Sequence, residues 1–337
     1  VRRYRCLVAL VGAVTVFSII LTSCTVGPVR TRGLSTTTTD NVVRTQPLPA
    51  VTVERIAYPT INIPDPQQNW GDLYLPAGPQ IPDSIPLAVL VHGGGWQAPA
   101  GADRFDSFAR DLVARGIAVY NIEYRRVGSG GGWPTTFDDV AAALAHVPQI
   151  TKEHPQLAAD QQIIVGHSAG AQLAVWAGTH VRSSATAVGA DRTPRPTRIV
   201  ALAGPLDMVE AVARGDRYIA QALGGSPQQV ASHYAAVDPI QNTDPAIQVI
   251  AVHGSDDTVV PPALSERYIA RLHSRGGSGE LVLLAGESHG SIMDATSSAY
   301  QRVLDIVTAA ATQKDRHLGL VPVDLAARFA ELAESVD

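Results

Sequence analysis

Gly166-His167-Ser168-Ala169-Gly170 sets a serine midway between two glycines. A serine hydroxyl is a weak nucleophile until a neighbouring base takes its proton. The pattern G-x-S-x-G alone arises easily in a chain rich in glycine, alanine and serine, so its setting decides its weight. Here it follows the apolar run Ile163–Val165 and opens the helical stretch Ala169–His180. In a strand–turn–helix setting of this kind the serine sits on a strained turn with its Oγ held out at the end of a sheet. Ser168 is the candidate nucleophile of an acyl transfer. The plainer alternative is a tight turn in which Ser168 only caps the helix.

Acyl transfer builds negative charge on the carbonyl oxygen, and backbone N–H groups aimed at that oxygen stabilise it by about 3 kcal/mol each. His92-Gly93-Gly94-Gly95-Trp96 ends another apolar run, Leu87–Val91. Consecutive glycines let a backbone approach a ligand and turn its N–H groups to one point. The candidate donors are Gly94, Gly95 and Ala169, the residue after the serine. Gly130-Gly131-Gly132 is also glycine-rich but follows no buried strand.

The base and the acid that orients it are sought downstream. His289 lies in Gly286-Glu287-Ser288-His289-Gly290, a loop after the run Glu280–Leu284. His253-Gly254-Ser255-Asp256-Asp257 follows Gln248–Val252, and a carboxylate just past a strand end can accept from the Nδ1–H of a catalytic imidazole. Spacing alone does not separate Asp256 from Asp257. Asp207 is a weaker acid candidate whose plainer role is helix capping. His253 is read as support for the acid loop. His92 and His167 lie inside the two motifs, and the other histidines fall in helical or surface segments.

These residues need a scaffold that brings strand ends together. Val51–Ala57 and Asp72–Leu75 read as strands, followed by Leu87–Val91, Ile117–Ile122, Gln162–Val165, Ile199–Leu202, Gln248–Val252 and Glu280–Leu284. Helical spacing fills Phe105–Arg115, Phe137–Val147, Ala169–His180 and Ser298–Gln313. Fully apolar strands alternating with helices predict an α/β fold, a mostly parallel sheet covered on both faces. Residues 206–244 lack a strand and read as a small helical cap insert.

The set HGGGW, Asn121-Ile122-Glu123-Tyr124-Arg125, GHSAGAQLA (166–174), HGSDDTVVP (253–261) and SHG (288–290) resembles the α/β-hydrolase carboxylesterases. It is most similar to the hormone-sensitive-lipase-like and kynurenine-formamidase-like groups. The resemblance spans roughly residues 51–312 and implies the α/β-hydrolase fold. It also implies Asp257 rather than Asp256 as the acid, and Gly94 and Gly95 as oxyanion donors. It points to a serine carboxylesterase without metal or cofactor, and the short 206–244 insert, with little apolar surface for a large lid, points to short- to medium-chain esters rather than to a lipase on long chains. The alternatives are an amidase or arylformamidase, and a non-catalytic surface lipoprotein of the same fold.

The first segment reads as an address. Arg2, Arg3 and Arg5 precede the uncharged apolar run Leu7–Leu21, which is shorter than the roughly 20 residues of a membrane span and suits a signal sequence. It ends in Leu21-Thr22-Ser23-Cys24, which resembles the lipobox of bacterial lipoproteins. That implies a signal peptide over 1–23 and a diacylglycerol anchor on Cys24, outside the cytoplasm. Residues 24–50, with Thr36–Thr39 in a row, read as a flexible tether. Residues 313–337 read as a helical tail. Cys6 and Cys24 are the two cysteines, so the catalytic body holds neither a disulfide framework nor a thiol nucleophile. No HExxH or Cys/His zinc pattern occurs. A net charge of −5 argues against a nucleic-acid partner bound through a broad basic face.

Overall fold

The structure is a computed structural model and describes residues 51–61, 63–78, 81–180 and 196–313. The expected signal segment and tether, Cys24 with them, and residues 314–337 of the expected tail lie outside the described residues.

Eight strands form one sheet in the order β1-β2-β4-β3-β5-β6-β7-β8. They are β1 (Thr52–Ala57), β2 (Trp70–Leu75), β3 (Ile85–Val91), β4 (Ala118–Ile122), β5 (Leu157–His167), β6 (Arg198–Leu202), β7 (Gln248–Gly254) and β8 (Gly279–Leu284). β2 runs antiparallel to both its neighbours, β1 and β4; all other pairs are parallel. The mostly parallel α/β sheet expected from the sequence is therefore the observed architecture.

Period-two alternation sends each central strand into two cores. Leu87, Val89 and Val91 face one cluster, while Ala88 and Leu90 face the other. The first cluster is roofed by α2 (Thr135–Glu153), α3 (Ala169–His180) and α7 (Ala263–Ser274), the second by α1 (Asp106–Ala114) and α8 (Ser298–Thr312). Each fully buried Leu, Ile or Val contributes about 1.5–3 kcal/mol relative to exposure. That gain explains the apolar runs at the centre of these strands, such as Leu87–Val91 and Ile163–Val165.

Register matters most for the chemistry. Val91 pairs with both Ile122 and Gly166, Leu202 with both His167 and Val252, and Gly254 with Leu284. The carboxyl ends of β3, β4, β5, β7 and β8 are thus brought to one edge of the sheet. The residues just past them are His92, Glu123, Ser168, the Asp256-Asp257 pair and the loop with His289.

Two segments differ from expectation, and a third matches it. The helix read as ending before Pro148 continues to Glu153 with Pro148 inside it. Proline there forfeits one helical hydrogen bond. The buried face Phe137, Val140, Leu144, Val147 and Ile150 runs on past it, and packing overrides the local break. α7 was not read from the sequence; its buried positions include the polar Ser265 and Glu266, which blur the apolar stripe. Residues 206–244 hold three short helices, α4 (Met208–Ala213), α5 (Arg217–Leu223) and α6 (Ala231–Val237). They are fastened to α3: Gln172 Nε2 donates to the Val237 carbonyl (2.8 Å) and Trp176 Nε1 to the Ala236 carbonyl (3.0 Å). Trp133 stacks on His233 at 4.3 Å. These two indoles therefore hold the insert in place.

Candidate active site

Ser168 follows β5 directly and has φ +56°, a left-handed conformation that side chains rarely adopt. Its N–H donates to the Leu202 carbonyl on the adjacent strand (2.8 Å), which fixes the turn. The flanking glycines are required by space. A Cβ on Gly166 would lie 2.1 Å from the Gly170 carbonyl oxygen, and one on Gly170 would lie 2.0 Å from that of Val91. The helix can start this close to β3 only because both side chains are absent.

His289 reaches the serine from the loop after β8. Its Nε2 lies 2.9 Å from Ser168 Oγ and its Nδ1 lies 2.8 Å from Asp257 Oδ2. A carboxylate only accepts, so the proton sits on Nδ1, and the free lone pair of Nε2 faces the hydroxyl. Asp257 is buried, and its Oδ1 accepts from the N–H groups of Val259 and Val260, both at 2.9 Å. Burial pushes this carboxyl up. The hydrogen bonds from His253, His289 and the Val260 N–H outweigh burial and hold it well below the usual carboxylate range. His253 braces the acid loop: Nε2 donates to the Val260 carbonyl (2.8 Å), and Nδ1 meets Ser265 Oγ (2.9 Å). Asp256 points to solvent and accepts from Ser255 Oγ (2.7 Å). Asp207 caps α4 through the Glu210 N–H and pairs with Arg267 at 2.8 Å, away from His289.

His167, the second residue of the serine motif, lies behind His289. Its Nε2 donates to the His289 carbonyl (3.1 Å). Burial, then the nearby His289 ring, pushes its pKa down to about 3, so it stays neutral and serves as a fixed donor.

The glycine loop after β3 turns through three successive left-handed residues, Gly94, Gly95 and Trp96, with φ +121°, +64° and +56°. Among the described residues, no loop or turn carbonyl accepts from the N–H of Gly94, Gly95 or Ala169. All three residues line the cleft that holds Ser168. A Cβ on Gly93 would meet the His167 carbonyl at 2.6 Å, so the loop lies hard against the serine turn.

A buried ionic cluster holds this loop from below. Tyr124 Oη donates to the His92 carbonyl (2.6 Å) and its ring stacks on the His92 imidazole at 4.2 Å. His92 Nδ1 donates to the Gly93 carbonyl (2.8 Å), and Nε2 faces Glu123 Oε1 and Arg126 Nη1 at 3.2 and 3.1 Å. Glu123 Oε1 also binds Arg126 Nη1, and its Oε2 accepts from the Ala102 N–H (3.0 Å). Burial pushes the Glu123 carboxyl up, but His92, the Ala102 N–H and Arg126 together hold it below its ordinary value. Within the Asn121–Arg125 motif the sequence carried no signal of this role, because Glu123 acts through partners from three segments.

The cleft over Ser168 has a volume of about 910 Å³. Its walls come from the glycine loop, the insert and the 258–264 segment. Arg104, Arg214, Arg217 and Tyr218 border it and were not anticipated from the sequence. Trp96 is buried, and its indole donates to Gln172 Oε1 (3.2 Å). Among the described residues, no cluster of three or more His, Cys, Asp or Glu side chains is arranged to hold a metal ion.

A hydroxyl, an imidazole lone pair, a low-lying carboxylate and free backbone donors at one strand edge form an arrangement suited to acyl transfer. Comparison with known proteins adds independent information. A family model described as BD-FAE matches residues 72–272, which include Ser168 and Asp257 and stop short of His289. A probable isoprenylcysteine alpha-carbonyl methylesterase of Oryza sativa subsp. japonica is 26% identical over 243 residues, 67% of this chain and 56% of that protein. The chain thus spans little more than half the length of that relative. Among solved structures, an inhibited esterase B of Lactobacillus rhamnosis aligns with TM-score 0.64 and 16% identity, covering 84% of this chain and 90% of that one. A propionate-bound thermophilic esterase of the planctomycete Thermogutta terrifontis aligns with TM-score 0.60 and 21% identity, covering 76% and 92%. These structures share the fold.

Proposed function

Because the chain belongs to the BD-FAE family, a family of α/β-hydrolase esterases, we propose that it is a serine carboxylesterase acting on short- to medium-chain acyl esters. The observation that carries this reading is the unbroken hydrogen-bonded run from Ser168 Oγ through His289 to Asp257.

In this mechanism Ser168 Oγ attacks the ester carbonyl while His289 Nε2 takes the hydroxyl proton. The imidazolium that forms is held by Asp257 through Nδ1–H. The N–H groups of Gly94, Gly95 and Ala169 receive the oxyanion, each contributing about 3 kcal/mol in the transition state. His289 then returns the proton to the leaving alcohol, and the acyl group stays on Ser168. Water, deprotonated by His289, releases the acid and restores the hydroxyl. The short helices of the insert offer little apolar surface for a large lid, which supports modest acyl chains over long ones.

The reading extends to location. The signal-like segment and Cys24 support an enzyme anchored by lipid outside the cytoplasm. Replacing Cys24 by Ala in the full chain should move the protein from the membrane to the soluble fraction.

The deciding test is initial rates on p-nitrophenyl esters from acetate to dodecanoate, with the wild type and Ser168→Ala compared. Turnover by the wild type and background rates for the variant support the reading. Inactivity of both, with no fluorophosphonate label on Ser168, overturns it.

A further inference from the structure

The cleft above Ser168 has a charge pattern that the whole chain does not share. The protein carries a net charge of −5, yet the Asp, Glu, Lys and Arg residues that border the cleft are Arg104, Arg214, Arg217 and Asp216. Asp216 is committed to the backbone, accepting from the Tyr218 and Ile219 N–H groups at the start of α5 (2.8 and 3.2 Å). Arg214 is paired with Glu210 at 2.8 Å. Arg104 is exposed, and among the described residues its guanidinium has neither a hydrogen-bond nor an ion-pair partner.

Arg217 is exposed as well, and no carboxylate of the described residues pairs with it. Its Nη2 lies 3.4 Å from Tyr218 Oη, and its guanidinium carbon lies 5.2 Å from the Tyr218 ring centre. It is the first residue of α5, the end of a helix where the peptide dipoles disfavour a cation. Neither Arg104 nor Arg217 therefore gains from an ion pair, and Arg217 is opposed by its own helix. Tyr218 links this charge to the reaction centre: a Cβ on Gly95 would lie 3.5 Å from Tyr218 Cγ, so the ring borders the oxyanion loop. Tyr218 is 43% exposed, and its ring offers a flat apolar surface between the glycine loop and the guanidinium.

Resting on the serine-esterase reading, we propose that the enzyme selects esters bearing an anionic group, a carboxylate or a phosphate. One half of the substrate lies along Tyr218, and its negative end sits between Arg104 and Arg217. The reacting carbonyl stays at Ser168, and the arginines take no part in bond making. Their effect is on capture of substrate, through the local field in a cleft.

Two matched pairs of esters test this, one for each half of the substrate. Mono-p-nitrophenyl adipate against p-nitrophenyl hexanoate places the charge on the acyl side. Para-acetoxybenzoate against its methyl ester places it on the alcohol side. Each is corrected for spontaneous hydrolysis, and kcat/KM is measured from low salt to about 0.5 M, where the screening length is only a few ångströms. The expected result is a preference of about tenfold for the charged member of at least one pair at low salt, expressed in KM and shrinking as salt rises. Arg104→Gln/Arg217→Gln should collapse the charged-to-neutral ratio in that pair, and the double Lys variant should retain part of it.

The sign of the salt effect separates the local field from the global one. If the net charge of the chain governed encounter, salt would raise the rate on the charged ester. Turnover of neutral esters with no preference for the charged member, or a preference that grows with salt, overturns the inference and leaves the esterase reading standing. Failure to hydrolyse any of the four, with no fluorophosphonate label on Ser168, overturns both, while failure with Ser168 labelled overturns this inference alone. Should the double variant fail to fold, the wild-type ratio and its salt dependence still decide.

Discussion

Two buried carboxylates stand at the same edge of the sheet, each beside a histidine, and their surroundings differ in one respect. Asp257, past β7, holds His289 by Nδ1 and leaves Nε2 facing a hydroxyl. Glu123, past β4, stands beside His92, whose two nitrogens are both occupied within the protein, one by the Gly93 carbonyl and the other by Glu123 and Arg126. The first pair is proposed to move a proton; the second braces the glycine loop. A histidine–carboxylate pair becomes chemistry only where one ring nitrogen is left facing a reactant. Where every nitrogen is satisfied, the same two residue types are structure.

The sharpest break of this comparison is at the reactant itself. Ser168→Ala should lower kcat on p-nitrophenyl esters by at least about 10⁴-fold with little change in melting temperature. Next comes the acid. Asp257→Asn should lower kcat by about 10³–10⁴-fold, because the amide no longer favours the Nδ1–H tautomer, while Asp256→Asn should stay within about twofold. If the two asparagine variants were equally impaired, the assignment of Asp257 would fall.

The brace should respond differently. Glu123→Ala leaves Arg126 buried without its carboxylate and should cost roughly 3–5 kcal/mol in denaturant unfolding. Its folded fraction should lose only about tenfold in kcat, through a looser oxyanion loop. Full stability with a collapse of kcat would instead make Glu123 part of the chemistry. Gly170→Ala, which drives a methyl into the Val91 carbonyl, should cost about 3 kcal/mol, read as an unfolding midpoint.

The smallest expected effect is in pH. Both carboxyls are held below their ordinary values in the folded chain. A depressed acid contributes stability above its unfolded pKa, near 4, and loses it as pH falls toward the folded value. Melting temperature should therefore drop as pH is lowered from about 5, and Asp257→Asn should flatten part of that slope. A wild type whose stability is constant over this range would count against both assignments.

How much of this was legible depended on distance along the chain. The serine turn was readable because its requirements are local: an apolar strand, two glycines where no Cβ fits, and a helix start within a few residues. The central strands were readable for a similar reason, since a strand buried on both faces must be apolar throughout. Helix α2 was misread at Pro148 because the cost of proline is local while the packing gain of Ile150 is tertiary. Asp256 and Asp257 were inseparable by spacing, and the resemblance to a family was needed to choose. In the folded loop one side chain turns inward to His289 and the other to solvent.

The Glu123–His92–Arg126 cluster and the arginines of the cleft were invisible, since each depends on partners from separate segments. Composition and motif determined by themselves the kind of fold, the turn that bears Ser168 and the glycine loop. His289 and Asp257 were named from loop position and family resemblance; only the tertiary structure decided their contacts with Ser168, what braces the loops that carry them and what charge surrounds them. Ser168 and His289 stand 121 positions apart. The order and register of the strands bring them within hydrogen-bonding reach, and no stretch of contiguous residues encodes that distance.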